Sequence, residues 1–234
     1  MHIQKSLIES HNALPLSAVR SAYLRPVSCL NNETHTVTLE TPSSVSSATF
    51  TTCFELIRDN MRDMYKRSEI GWSAAKKKKE MKHPAMRFLL LRIRPGVKKL
   101  ESRGEGEGEE GEGRGEQDWE DEDTEEVEAG KVAGFLSFMV TEEEGEEVIY
   151  CYELHLAPGS RGLGLGRHLM AVMEDFGRAV GLGKAMLTCF SENKDGVRFY
   201  NRNGYETDET SPEPKCLRNG QVRESNYYIL SKAL

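Results

Sequence analysis

Between Tyr150 and Arg167 the chain runs Tyr-Cys-Tyr-Glu-Leu-His-Leu, then Ala-Pro-Gly-Ser, then Arg-Gly-Leu-Gly-Leu-Gly-Arg. Strand-type residues give way to glycines. The glycines give way to Leu165, Leu169, Val172, Phe176 and Val180, an apolar stripe at helical spacing. A strand, a glycine turn and a long amphipathic helix in that order commit the chain to an α/β arrangement. The turn offers bare backbone N–H groups to an anion, and the helix behind it adds the positive end of its dipole. Glu153 lies on the strand just upstream. An anionic ligand ending beside a carboxylate points to group transfer rather than to simple binding.

The rest of the chain supplies further elements. Leu16–Leu24 is predicted as a short helix, followed by Pro26. His35–Glu40 alternates β-branched and polar residues and is predicted as the first strand. Ser46 or Ser47 caps a helix that runs to Arg67, with Phe54, Ile57, Met61 and Met64 along one face. Gly71-Trp72 breaks it, and 76–81 forms a second short helix. Strands are expected at 87–93, 131–140, 147–156 and 184–190, and helices at 165–180 and 195–203. Gly181, Gly183 and Gly204 stop the two helices. Two short strands near 205–207 and 227–230 complete a mixed sheet flanked by helices.

Charge is unevenly distributed. Residues 101–128 hold 15 acidic residues, two arginines and six glycines, so a chain of net charge −7 divides into a run of −13 and a remainder of +6. The run has too little apolar surface to offset chain entropy and is expected to be a disordered loop insertion between two strands of one domain. It reads either as a solvated spacer or as an attractor of basic tails. The basic remainder suits a phosphate-rich ligand, although ordinary surface lysines give the same sum. Lys76–Lys79 with Lys82 reads either as a nuclear import signal or as an exposed helix face.

Five scattered cysteines without a C-x-x-C pair argue against a disulfide framework or a zinc site and fit a reducing compartment. Cys151 and Cys189 fall in predicted strands as small core residues. No apolar run reaches the roughly 18 residues of a membrane span, and the N-terminus lacks a signal-peptide pattern, so an intracellular soluble protein is expected.

The glycine turn is selective about its ligand. It is not a dinucleotide fingerprint, because Arg167 stands where the third glycine would be, and it is not a P-loop, because no Lys-Ser/Thr follows. Arg161-x-x-Gly164-x-Gly166 instead resembles the pyrophosphate loop of the GCN5-related N-acetyltransferase (GNAT) superfamily. Within it the chain is similar to the NatD group, N-alpha-acetyltransferase 40. The matching stretches are Asn60-Met-x-x-Met-Tyr65 with Ser68-Glu-x-Gly-Trp72, Tyr150-Cys-Tyr-Glu153, and Met186-Leu-Thr-x-Phe190 with Asn193. The Ser211-Pro212 turn and Tyr227-x-Ile-Leu-Ser231 complete them. Together they span roughly the last three-quarters of the chain.

The resemblance implies a GNAT fold, α+β with a mixed, mostly antiparallel sheet, over residues 35–234, and an N-terminal extension over 1–34. It implies acetyl-CoA as donor and no metal. Leu154, His155 and Leu156 would offer backbone groups to the pantetheine arm. Arg161, Gly162, Leu163, Gly164, Leu165, Gly166 and Arg167 would hold the diphosphate, and Asn193 would begin the segment meeting the cofactor arm. Glu153 would be the catalytic carboxylate, the alternative being a glutamate paired with a neighbouring lysine or arginine. His155 reads as a positional residue rather than a base.

Tyr65, Tyr152, Thr188, Thr210 and Tyr227 fall where NatD enzymes hold the acceptor peptide, and their hydroxyls suit a small polar first residue such as serine. Tyr152 faces away from Glu153 unless a bulge intervenes, as it does in this strand of superfamily members. Tyr200 reads either as a general acid at the departing sulfur or as core packing.

Ile70 and Thr141 depart from the NatD pattern, which has tryptophan and aspartate there, while Glu143 keeps an acidic position nearby. The implied partners are the N-terminal tails of histones 4 and 2A, with no membrane or nucleic acid, and the implied enzyme is a monomer of the nucleus and cytoplasm. Two other readings stay open: an acetyltransferase for lysines or small amines, and a non-catalytic histone-tail binder.

Overall fold

The computed structural model describes residues 6–12, 14–23, 34–94, 130–216, 222–223 and 225–234. The acidic run at 101–128, Pro26, Cys29 and Pro95-Gly96 lie outside them. The chain begins with Leu7–Asn12 (α1), Leu16–Tyr23 (α2), His35–Glu40 (β1), Ser47–Arg67 (α3), Ala74–Met81 (α4) and Arg87–Ile93 (β2). Val132–Glu143 (β3) and Glu146–Leu156 (β4) form a hairpin, followed by Leu165–Val180 (α5), Lys184–Phe190 (β5) and Lys194–Arg202 (α6). Glu206–Thr207 (β6), Lys215–Cys216 (β7), Val222–Arg223 (β8) and Tyr227–Ala233 (β9) end it.

The helix boundaries follow local chemistry. Ser46 accepts the Thr49 N–H at 3.2 Å and starts α3 at the expected serine. Gly181 ends α5 in the left-handed region at φ 95°. The sequence did not anticipate α1, the β7–β8 pair, the extension of β3 to Glu143 or that of β9 to Ala233.

Seven strands form one sheet in the order β1-β2-β3-β4-β5-β9-β6, antiparallel except for the β4–β5 pair, which α5 connects. Each face of the sheet has its own core. Leu165, Leu169, Met170, Met173 and Phe176 of α5 pack with Leu89, Phe138, Ile149 and Leu187 on one face. The first residues join this layer, for Val19 of α2 is buried there and His11 of α1 stands edge-on to Phe176 at 5.1 Å. On the other face Cys53, Phe54 and Ile57 of α3 and Met81 of α4 cover Phe88, Leu90, Phe135 and Met139.

Two irregularities position the site. The β3–β4 pairing slips between Ser137↔Glu153 and Phe138↔Cys151, so Tyr152 is an extra residue. The β4–β5 pairing ends at Cys151↔Leu187, whereas β4 runs on to Leu156. The strands part at the bulge.

Candidate active site

Because of the bulge, residues adjacent in sequence share a face. Cys151 packs in the α5-side core, while Tyr152 packs against the α3–α4 core and Glu153 bonds to Lys77 of α4. Both Tyr152 and Glu153 therefore look into the cleft between the parted strands, a space of about 690 Å³. Tyr65, Trp72, Lys77, Tyr150, Tyr152, Glu153, Leu154, His155, Thr188, Asn193 and Tyr200 all contribute to its walls.

Glu153 sits at the centre and is 6% exposed. Lys77 Nζ donates to its Oε1 at 2.7 Å, and His155 Nε2 approaches its Oε2 at 2.6 Å. Burial alone would raise this carboxyl's pKa, but the Lys77 ammonium and the His155 hydrogen bond outweigh it and hold the value at about 2. Lys77 also donates to Glu80 Oε1 at 2.7 Å. Burial would lower the Lys77 pKa, yet the attraction of Glu153 reverses the sign and raises it. The expected alternative of a paired glutamate thus holds for the ion pair itself, and that pair lies inside the cleft. Glu153 is a permanent anion there and a weak proton acceptor.

Aromatic and hydroxyl groups line the rest. The Tyr65 ring stands edge-on to Phe190 at 4.9 Å, lies 5.6 Å from Trp72, and has Lys77 Nζ 5.1 Å from its centroid. Burial, then the Glu153 charge, pushes its phenol up to about 12. Tyr152 is likewise pushed up to about 12, by burial and then by Glu143. Tyr150 Oη and Thr188 Oγ1 share a hydrogen bond at 2.6 Å across the β4–β5 join. Tyr200 packs on Phe199 and Tyr205, and burial pushes its phenol well above the ordinary value. These phenols are neutral hydrogen-bond donors at physiological pH.

The glycine turn begins where β4 ends. Gly162 and Gly164 stand at φ 75° and 78°, a region that L side chains rarely adopt, with open space where a Cβ would be. Gly166 is the second residue of α5, and a Cβ there would sit 3.4 Å from the Phe199 ring. Arg161 Nη2 donates to Asn60 Oδ1 at 2.6 Å, tying the turn to α3. The open turn, its arginine and the N-terminus of α5 fit a diphosphate, and the unpaired stretch of β4 beyond Cys151 fits an extended, amide-bearing arm. Among the described residues, no cluster of three or more His, Cys, Asp or Glu could hold a metal ion. No described helix is long and apolar enough to cross a membrane.

Not every expected residue meets in the cleft. Leu156 and the turn 161–167 are outside its walls. Thr210 bonds to Asp208 through both its N–H, at 3.0 Å, and its hydroxyl, at 2.7 Å. Tyr227 stands opposite Phe190 in the β5–β9 pairing and is outside the cleft walls. Asn193 lines the cleft and also caps α6, accepting the Gly196 N–H at 3.0 Å.

Lys77 is the principal residue the sequence reading missed. It was grouped with an exposed lysine run, yet it is 9% exposed beside exposed Lys76, Lys78 and Lys79. The available signal was its i, i+4 spacing to the buried Met81.

A sequence profile of the Acetyltransferase (GNAT) family matches residues 97–205. The fold also superposes on an acetyltransferase from Streptococcus agalactiae, with a TM-score of 0.53 and 13% identity, over 87% of this chain and 100% of that one. This chain has the GNAT fold. Arabidopsis thaliana NAA60, solved in complex with a bisubstrate analogue, shares the fold at a TM-score of 0.50 and 11% identity, over 85% and 99% of the two chains. Among curated proteins, N-alpha-acetyltransferase 40 of Saccharomyces cerevisiae is 34% identical over 103 residues. That alignment spans 36% of this chain and 36% of the yeast protein's length. GNAT acetyltransferases use acetyl-CoA as donor.

Proposed function

We propose that this domain transfers an acetyl group from acetyl-CoA to the α-amino group of a protein chain, and that its acceptors are the Ser-Gly-Arg-Gly starts of histones 4 and 2A. The 2.7 Å ion pair that keeps Glu153 anionic carries the choice of amine. A carboxylate held at about 2 cannot draw a proton efficiently from a lysine ammonium near 10.4. A chain-terminal amine has a pKa near 7.7–8.0, so roughly a fifth to a third of it is already neutral at pH 7.4. Such an acceptor needs orientation more than deprotonation. The partial likeness to yeast N-alpha-acetyltransferase 40 supports the same acceptor class.

Acetyl-CoA supplies an acyl group already activated as a thioester. The residues of this chain do the rest. Backbone N–H groups of 162–165, with Arg161, receive the diphosphate, and the free edge of β4 at Leu154–Leu156 receives the extended arm. Hydroxyls of Tyr65, Tyr152 and Thr188 hold the small first residue. Glu153 retains lone pairs beyond those used by Lys77 and His155, and accepts an N–H of the amine directly or through a water. It steadies the positive charge that grows on nitrogen as the amide bond forms. The C–N bond forms as the thioester C–S bond breaks, and the proton released from the amine passes through water in the cleft to the departing CoA thiolate. With this reading goes work in the nucleus and the cytoplasm.

Steady-state assays on a Ser-Gly-Arg-Gly peptide, with mass spectrometry of the product, test the proposal. The acetyl group is expected on the α-nitrogen, and Glu153→Gln is expected to lower kcat about 100-fold or more. A peptide with a blocked α-amine and free lysines should not react; acetylation of it would move the reading to a lysine or small-amine acetyltransferase. Undiminished turnover by Glu153→Gln would remove that residue from its role.

A further inference from the structure

A continuous hydrogen-bonded chain runs from the glycine turn to the carboxylate. Arg161 Nη2 meets Asn60 Oδ1 at 2.6 Å, Asn60 Nδ2 meets His155 Nδ1 at 3.3 Å, and His155 Nε2 meets Glu153 Oε2 at 2.6 Å. Donor and acceptor chemistry gives each link a direction. A guanidinium only donates, so the amide oxygen of Asn60 must face Arg161 and its NH2 must face His155. An NH2 only donates, so His155 Nδ1 must accept and carry no proton. An ionised carboxylate only accepts, so Nε2 must carry the proton. Both ends demand the same neutral tautomer.

We propose that Arg161, Asn60 and His155 form a positioning relay that keeps His155 a neutral, Nε2-protonated donor and thereby aims Glu153 into the cleft. Asn60 is the decisive member. Protonating Nδ1 would set an N–H against the Asn60 NH2, so the amide opposes the imidazolium that Glu153 alone would favour. Glu153 is bonded to the ring from its own strand, Lys77 and Glu80 of α4 and Tyr65 of α3 line the same cleft, and Arg161 of the turn reaches Asn60. The Phe135 ring, 5.7 Å away, closes the remaining side. The Lys77 ammonium bridges Glu153 and Glu80, at 2.7 Å to each. The functional consequence rests on the acetyltransfer reading above, whereas the tautomer does not.

The relay is tested first by 15N NMR of the histidine-labelled full chain, at a pH where the ring is neutral. His155 is expected to show a bare Nδ1 and a protonated Nε2. In Asn60→Asp, where a carboxylate that only accepts replaces the donor, Nδ1 should carry a proton. A wild-type Nδ1–H tautomer, or a bare Nδ1 in Asn60→Asp, overturns the proposal whether or not any peptide is acetylated.

Kinetics then test the consequence. Glutamine offers the same neutral acceptor and donor pair as this tautomer, so His155→Gln should recover at least a third of wild-type kcat. His155→Leu should lose about tenfold or more. Equal losses in the two variants, with both folded by circular dichroism, would show that the ring acts through packing and would overturn the relay.

Discussion

The ammonium of Lys77 and the carboxylate of Glu153 meet at 2.7 Å across 76 residues of sequence, with 9% and 6% of their surfaces exposed. Neither charge would remain buried alone. A bulge in β4 turns Glu153 toward α4, and Met81 anchors α4 so that Lys77 faces the sheet. The pair makes the catalytic candidate an anion at every physiological pH, which favours an acceptor amine that is already partly neutral.

Removing one partner leaves the other buried and uncompensated. Lys77→Met is expected to destabilise the domain by about 3–5 kcal/mol at pH 7. The pH dependence should also change sign. In the wild type the Glu153 pKa is depressed, so its contribution is complete above the ordinary carboxyl value near 4.5 and is lost as pH falls toward 2. Without the ammonium, burial raises the carboxyl pKa, and the variant should gain stability on acidification from pH 7 to pH 5. Urea unfolding at the two pH values measures this, and a wild-type midpoint at pH 7 would contradict it.

Gly134 on β3 faces Leu156 across the hairpin, and a Cβ there would lie 2.6 Å from the His155 carbonyl oxygen and 2.5 Å from Leu156 Cδ2. The Leu156 side chain can turn aside, but the carbonyl belongs to the strand. Gly134→Ala should therefore push β4 outward at a cost of about 1–3 kcal/mol. Thermal unfolding would detect the loss, and an unchanged midpoint would mean the two strands separate more easily than their pairing suggests.

Gly164 caps α5 at φ 78° with nothing within 4 Å of a would-be Cβ. Gly164→Ala meets backbone strain alone, about 1–2 kcal/mol. Because the strain falls on the turn proposed to hold the diphosphate, the acetyl-CoA KM should rise about tenfold while the peptide KM holds. Calorimetric titration with CoA offers an independent check: wild-type affinity in the variant would separate the turn from the donor site.

Much of the architecture was legible in the sequence. The strands at 35–40, 87–93 and 184–190 and the helix at 165–180 have the predicted bounds, because alternation, helical spacing and glycine stops are local signals. The helix α1 escaped notice, since six residues carry too little periodicity to read. Its packing on the α5 layer came from contacts distant in sequence. Tyr152 and Glu153 could be named from the sequence, but their common face depended on a bulge that shows only once β3 pairs with β4.

The sequence by itself determined that a strand, a glycine turn and a helix stand in succession, because backbone preference and hydrophobic spacing act over a few residues. Tertiary structure alone decided which of four adjacent lysines became the partner of Glu153, and that Arg161 reaches that carboxylate through Asn60 and His155. Burial and hydrogen-bond direction are properties of groups brought together from remote parts of a chain, and they come into being only when the chain has folded.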